Sequence, residues 1–478
     1  MAAISSRSPK RRLPGRRYRR SIAFGCPHHG TEATMMTMRS FGSFFEGRAF
    51  RIATAFAVQI MGVGLSFLFS ILLARLIGVA GVGLYFLAIT VVDIGATISR
   101  LGLENAGLRF ASIAYSRGDR GTLAALYRRS MGLALAAGIV LALPVWLIVS
   151  HLPLGGDRAA ELRAELPLLV FALAPFALLI IQAEFLKGIG ASSIGTFAHA
   201  VVPPLLLLAG SIALWLLEAA TLHSIFVTYV VVAVVAMVHA VAVWSWRLPG
   251  IWREPGAFDT RRLLRTSMPV LLVTSMNLVM GWTDILVLGI WADAKEVGIY
   301  GISMRIALLT AFVLGAINVV VAPQFAALHA EANVAALRRL AQQSAFWTSV
   351  VAAPALLVLV LVPDLILQLF GPQFKEGAWA LRILALGQFV NLATGPVGTL
   401  LLMTGHEKLM RNNVAASAAL NLLGNLILVP SYGAVGAAAS TALSLAFMNV
   451  VSWIMVRKKL HINILDYAAL RTPPCASR

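Results

Sequence analysis

The stretch LLARLIGVAGVGLYFLAITVVDIGATISRLGLENAGLRFA, Leu72 to Ala111, returns as VLGIWADAKEVGIYGISMRIALLTAFVLGAINVVVAPQFA, Val287 to Ala326, at a constant shift of 215 residues. Gly83 falls on Gly298, Tyr85 on Tyr300, Ala96 on Ala311 and Phe110 on Phe325; after a one-residue slip, Ser130 falls on Ser344. The copied segments carry hydrophobic helices, so the repeat belongs to a membrane bundle and not to a solenoid. A duplicated bundle with a site between its halves is a common plan among secondary transporters.

Composition agrees with that placement. The 478 residues are 59% hydrophobic and 12% charged, against roughly 25% charged for a soluble domain, and the mean hydropathy is +0.83. The net charge of +19 would suggest a nucleic-acid partner in a soluble protein. Here the basic residues sit at the N-terminus and in alternate loops, and no aromatic-interleaved basic groove or reader motif accompanies them, so nucleic acid is not an expected partner. Cys26 and Cys475, the two cysteines, lie in polar tails and imply neither a disulfide framework nor a thiolate metal site.

Residues 1–47 differ from the rest. RSPKRRLPGRRYRRS is an Arg-rich, Pro-containing run that buries no core and is expected to be disordered. Two expectations compete for it: a basic cytoplasmic arm drawn to anionic lipid, or, the one we favour, sequence upstream of a true start at Met35, Met36 or Met38. Arg19 and Arg20 are followed by SIAFG and then CPHHGTEATMM, with no long apolar run, which excludes a twin-arginine signal.

Apolar runs set against turn residues predict twelve spans, six near 52–74, 82–106, 122–149, 166–187, 194–217 and 222–246, and six near 265–291, 297–324, 341–362, 378–403, 409–429 and 434–456. This is an all-α polytopic membrane protein of about twelve transmembrane helices in two six-helix repeats. Because six is even, both repeats enter the bilayer from one side, and the axis relating them runs along the membrane normal. The expected domains are 48–247 for the first bundle, 248–264 for a cytoplasmic linker, 265–459 for the second bundle and 460–478 for a cytoplasmic tail.

Orientation follows from the short loops. One set of loops holds Arg109, Arg117, Arg120, Arg128, Arg129, Lys187, Arg247, Arg253, Arg261, Arg262, Arg265, Arg338, Arg339, Lys408 and Arg411; the other holds Arg75, Arg158, Arg163, Lys295 and Lys375. Fifteen against five places the first set and both termini in the cytoplasm. The outer loops are short, which leaves no room for an extramembrane catalytic domain.

Charges inside a bilayer cost about 2.5 to 3.5 kcal/mol each on insertion scales, so each asks for a reason. Asp93, Arg100 and Glu104 are spaced to line one stripe of helix two. Either Arg100 and Glu104, one turn apart, neutralise each other within a ladder that stabilises the bundle, or the stripe faces a watery cavity in which Arg100 meets a phosphate and a carboxylate takes a proton or cation. Asp284 and Arg305 are the second repeat's intramembrane charges, and either pair with each other or face cargo. They do not copy helix two: the shift of 215 sets Asp284 opposite Phe69 and Arg305 opposite Thr90. Asn421 and Asn425 share one helical face, where they bond a neighbouring helix or touch cargo. Arg75, Glu184, Lys187 and Arg382 lie near helix ends and are expected to snorkel; His199 and His239 are expected to pack by hydrogen bonding. The sequence shows no phosphate loop, zinc spacing or nucleophile elbow, and no metal site or catalytic residue is expected.

Four pieces carry a family resemblance: LLARLIG with GLY (Leu72 to Gly78, Gly83 to Tyr85), LGLENAGLRFA from Leu101, WTDILVLG with GIYGISMRIA (Trp282 to Gly289, Gly298 to Ala307), and NLLGNLILVPSYGAVGAAASTALS from Asn421. Together they resemble the polysaccharide flippases of the multidrug/oligosaccharidyl-lipid/polysaccharide exporter superfamily, over about Arg48 to Lys459. The most specific match is N-x3-N-x4-P-x-YG-x2-GAA, from Asn421 through Pro430, Tyr432, Gly433 and Gly436 to Ala438. Pro430 is expected to end helix eleven, and the small residues after it to let helices approach closely. The related lipid II flippases carry two further helices, so the resemblance makes lipid II the less expected cargo.

The resemblance implies a flippase, not an enzyme, that moves a polyprenyl-diphosphate-linked oligosaccharide across a bacterial inner membrane by rocking two halves. No cofactor is implied, with H+ or Na+ as candidate coupling ions. Membrane lipid is a partner, and polysaccharide polymerases and glycosyltransferases are candidate partners. Asp93, Arg100, Glu104, Asp284, Arg305, Asn421 and Asn425 form the expected transport cavity, with Arg100 and Arg305 compensating the phosphates. A cation-coupled drug exporter of the same superfamily is the alternative. A polysaccharide polymerase or ligase is disfavoured by the short outer loops.

Overall fold

The structure, a computed structural model, describes residues 31–151 and 159–466. Residues 1–30 of the expected arm, residues 467–478 of the tail and both cysteines lie outside the described residues. The chain divides into a unit ending at Phe50 and a main unit from Arg51, which is the subject below.

Every regular element among the described residues is helical: α1 (Thr31–Ser99), α2 (Leu103–Ser116), α3 (Arg120–His151), α4 (Ala159–Val170), α5 (Leu173–Gly188), α6 (Ser192–Ala200), α7 (Val202–Leu216), α8 (Leu222–Arg247), α9 (Thr260–Trp291), α10 (Ala294–Ala330), α11 (Val334–Leu361), α12 (Pro363–Gln368), α13 (Ala378–Thr394), α14 (Val397–Met403) and α15 (Glu407–Leu460). Helix is the secondary structure that satisfies its own backbone polar groups in lipid, and apolar runs of this length require that. The helix begins at Thr31, so residues 31–47 of the expected disordered arm are helical; unlike the basic run before them, they contain no proline.

Seven helices among the described residues are long and apolar enough to cross a membrane, or nine when two bent pairs, 160–188 and 372–403, each count as one span. Two of the seven cover 46 and 54 residues, about 69 and 81 Å at 1.5 Å per residue, more than twice a ~30 Å hydrocarbon core. Non-helical residues divide both: Gly78 (φ 68°, ψ 179°) in α1 and Gly433 (φ 51°, ψ −130°) in α15. Each therefore supplies two arms. With the apolar end of α9, Gly281–Trp291, the set is consistent with twelve crossings. The turn expected at Pro430 falls instead at Gly433: Pro430 lies inside the helix, and the reversal comes at the residue that takes a left-handed backbone without strain. Glu296 caps the arm that follows, accepting a hydrogen bond from the Ala434 N–H at 2.7 Å.

The repeats meet at Gly83 and Gly298. A Cβ on Gly83 would collide with the Ala294 carbonyl and crowd the Gly298 nitrogen; a Cβ on Gly298 would collide with the Val79 carbonyl and crowd the Gly83 nitrogen. Val79 and Ala294 are themselves related by the shift of 215. The contact is thus reciprocal, as a two-fold axis between the repeats requires, and it places backbone on backbone through a small-residue crossing. Around it a buried apolar cluster joins Leu73, Val82 and Phe86 of α1 to Val297, Ile299 and Ile302 of α10.

Helix two is not continuous as expected. It breaks between α1 and α2 at Leu101 (φ 53°) and Gly102 (φ 68°), where Gly102 abuts the backbone of Ser267 and Leu271 in α9. The segment leaving α8 is held against α3, with Arg120 Nε 3.0 Å from Glu254 Oε1 and both Arg128 Nη atoms 3.1 Å from the Glu254 carbonyl.

Candidate transport cavity and a buried carboxylate cage

A cavity of about 330 Å³ opens beside the first repeat, within the range of ligand sites. Its wall comes from both arms of α1 (Gln59, Ser66, Phe69, Tyr85, Ile89), from Phe176 of α5, His199 of α6, Pro203 of α7 and Tyr229 of α8, and from one residue of the second repeat, Arg305 of α10. Tyr85, Ile89 and Asp93 follow at intervals of four, so Asp93 stands one turn beyond the lining residues on the same helical face. It is exposed, although it lies within a membrane-spanning arm.

Arg305 reaches across the repeat boundary. Its Nη1 donates to Ser70 Oγ at 2.7 Å, and its guanidinium lies 4.4 Å from the centre of the Phe86 ring, a cation–π arrangement. It forms no ion pair within 4 Å among the described residues. Asp93 and Arg305 act on each other electrostatically, as do Asp93 and Arg100.

Arg100 has a different setting. It is buried at the break of helix two, donating to Thr97 Oγ1 at 2.7 Å, with its Nε 3.8 Å from Glu104 Oε1. Arg100 Nε and Glu104 Oε2 are both buried without a hydrogen-bond partner. The expected stripe of Asp93, Arg100 and Glu104 is therefore divided: Asp93 is open, and the other two are buried against each other. Asp93 and Arg100 both precede the interruption at Leu101 and Gly102, and what divides them is which neighbouring helices cover Arg100, which a count at 100° per residue cannot anticipate.

Asp284 does not pair with Arg305. It is fully buried in α9, and four neighbours donate to it: Asn421 Nδ2 at 3.0 Å, Asn425 Nδ2 at 2.5 Å, Thr441 Oγ1 at 2.6 Å, and the Tyr300 hydroxyl. Asn421 and Asn425, on the first arm of α15, face this carboxylate instead of the cavity around Tyr85. A carboxylate buried this way is compensated by charge-assisted hydrogen bonds instead of a counter-charge. Asn425 Oδ1 in the same cage is buried without a partner.

The residues expected to snorkel have specific partners. Arg75 donates to the Leu369 and Gln368 carbonyls at 3.0 and 3.1 Å, Lys187 pairs with Glu184 at 2.7 Å, and Arg382 donates to the Val360 carbonyl at 3.1 Å. Tyr85, Tyr229, Phe176, Gln59, Tyr300 and Thr441 were not expected at either site. The last two carried a signal: Tyr300 is a repeat-matched tyrosine, and Thr441 lies within the segment that carries the family resemblance.

The model of the polysaccharide biosynthesis protein family matches residues 51–329, more than half of the chain. The chain belongs to that family. A second family model, MatE, matches residues 269–427. The probable low-salt glycan biosynthesis flippase Agl15 of Haloferax volcanii is 24% identical over 407 residues, covering 83% of this chain and 80% of the relative. Among solved structures, an inward-facing multidrug resistance MATE family transporter of the MOP superfamily aligns with a TM-score of 0.69 at 14% identity, over 85% of this chain and 94% of that one. The lipid II flippase MurJ in an inward closed conformation aligns with a TM-score of 0.66 at 13% identity, over 87% and 90%. The chain shares its fold with these membrane transporters.

Proposed function

We propose that this transporter flips a polyprenyl-diphosphate-linked oligosaccharide across a bacterial inner membrane for cell-surface polysaccharide synthesis. Residues 48–247 and 265–459 rock as two bundles, both termini are cytoplasmic, and the cavity beside Tyr85 opens alternately to each face. The observation that carries this reading is Arg305: a guanidinium without an ion pair among the described residues, contributed by one repeat to a cavity walled by the other. Arg binds phosphate through a fork of donors and keeps its charge when desolvated. The aromatic wall of Tyr85, Tyr229 and Phe176 suits the apolar faces of sugar rings. Polymerases and glycosyltransferases are the partners such cargo implies.

Asp284 is the proposed coupling site for H+ or Na+. No cation pairs with it among the described residues, and the carboxylate, the orphaned Asn425 Oδ1 and the hydroxyls of Thr441 and Tyr300 offer the oxygen donors a hard cation takes.

Deleting the gene should abolish surface glycan and leave lipid-linked glycan on the cytoplasmic face, and the wild-type chain should restore export. Labelling should place Pro255 inside and Lys375 outside; labelling from one side would refute the topology. The MatE match supports a second reading, a cation-coupled drug exporter. Intact surface glycan with raised drug sensitivity in the deletion strain would favour it.

A further inference from the structure

The charged groups at the cavity and just beyond it balance. Arg100, Lys187 and Arg305 face Asp93, Glu104 and Glu184, and four of the six are paired off: Arg100 with Glu104 at 3.8 Å and Lys187 with Glu184 at 2.7 Å. Two are not. Arg305 lines the cavity, and Asp93 stands one turn beyond Tyr85 and Ile89 on the lining face, with its side chain accessible. Neither forms an ion pair within 4 Å among the described residues. An anion-binding group, Arg305 of α10, thus lies in the wall of the cavity of about 330 Å³, and a cation-binding group, Asp93 of α1, stands one turn beyond that wall.

That arrangement selects among glycans. A diphosphate diester carries two negative charges, which Arg305 meets at its own end. A sugar joined to that diphosphate then lies toward Asp93. Hydroxyl, amide or ammonium groups can donate to the Asp93 carboxylate, whereas a uronic acid would set carboxylate against carboxylate inside a low-dielectric bundle. We propose that Asp93 makes this flippase selective for cargo whose diphosphate-proximal sugar is uncharged or basic, and rejects cargo whose proximal sugar is acidic. The inference rests on the reading that the cargo head enters the Tyr85 cavity.

The test uses the full chain, purified in nanodiscs, and two short-chain probes: a prenyl-diphosphate-linked N-acetylhexosamine and the matching prenyl-diphosphate-linked hexuronic acid. The wild type should bind the hexosamine probe at least about tenfold more tightly, because a like charge opposes the acid. Asp93→Asn, which keeps shape and removes charge, should bring the two probes to within about twofold, chiefly by tightening the acid. Equal binding of both probes by the wild type, a preference for the acid, or a preference unchanged in Asp93→Asn would overturn the proposal and leave the cavity as the cargo site. Binding of neither probe, or binding that Arg305→Ala does not weaken, would overturn the cargo reading with it. The wild-type ratio stands without the variant, so a misfolded Asp93→Asn protein does not shelter the idea.

Discussion

Tyr85 and Tyr300 occupy matching places in the two repeats, and their surroundings have opposite character. Tyr85 sits among rings, 5.8 Å from Phe69, 6.3 Å from Phe226 and 6.2 Å from Tyr229, beside an open cavity. Tyr300 sits among hydrogen-bonding groups, donating to Asp284 and lying 3.0 Å from Thr441 Oγ1. The matched partners show how this arose: Asp284 stands opposite Phe69. A duplicated scaffold has kept its tyrosine and its glycine crossing while one repeat became an aromatic wall and the other a carboxylate cage. Under the proposed function this is a division of labour, with a polar cargo head on one side and a small, closed coupling site on the other.

The largest effect should come from the cage. Asp284→Ala removes the acceptor that four buried donors share, and a buried donor left unmade costs about 1–3 kcal/mol, so export should be lost and the melting temperature in detergent should drop. Asp284→Phe, which copies the first repeat, should fail as badly. A variant that retained both stability and export would show that the cage does not separate the repeats in function.

Next are the two glycines. Gly83→Val and Gly298→Val each force a side chain onto a facing carbonyl, an overpacking cost of about 1–3 kcal/mol, and each should reduce export more than about tenfold. The two losses should match, because the contact is reciprocal. Loss at one site and tolerance at the other, read by glycan export at equal abundance, would break the symmetry.

A smaller effect separates the two arginines. Arg305→Ala should cut export while abundance stays near normal, with Arg305→Lys recovering part of it as a charge without the fork. Arg100→Ala should instead lower abundance, since it leaves Glu104 buried and unpaired, and the added Glu104→Ala should restore it. Identical behaviour at both positions would contradict the contrast between an open and a paired arginine.

Much of this molecule is legible in the sequence for simple reasons. Hydrophobic runs report helices, and the shift of 215 reports a duplication that the Gly83 and Gly298 contact makes physical. The intramembrane polar residues Asp284, Asn421 and Asn425 stand out because each is costly in lipid. Their partnership is not legible: Asp284 and Arg305 are the obvious opposite charges, yet helix spacing within one segment says nothing about which neighbouring helix a side chain meets. The division of Asp93 from Arg100 and Glu104 was hidden for a related reason. Asp93 and Arg100 both precede the left-handed backbone at Leu101, and the spacing between them does not say which of the two the neighbouring helices cover.

The division of labour is tested most directly by where cargo touches the protein. A photoreactive amino acid placed at Ile89 in the cavity, or at Ser444 one turn beyond Thr441 near the cage, would be irradiated in membranes making lipid-linked glycan. Glycan adducts should form at Ile89, should weaken with Arg305→Ala, and should be absent at Ser444. Adducts at Ser444 with none at Ile89 would contradict the assignment of cargo to the first repeat's cavity.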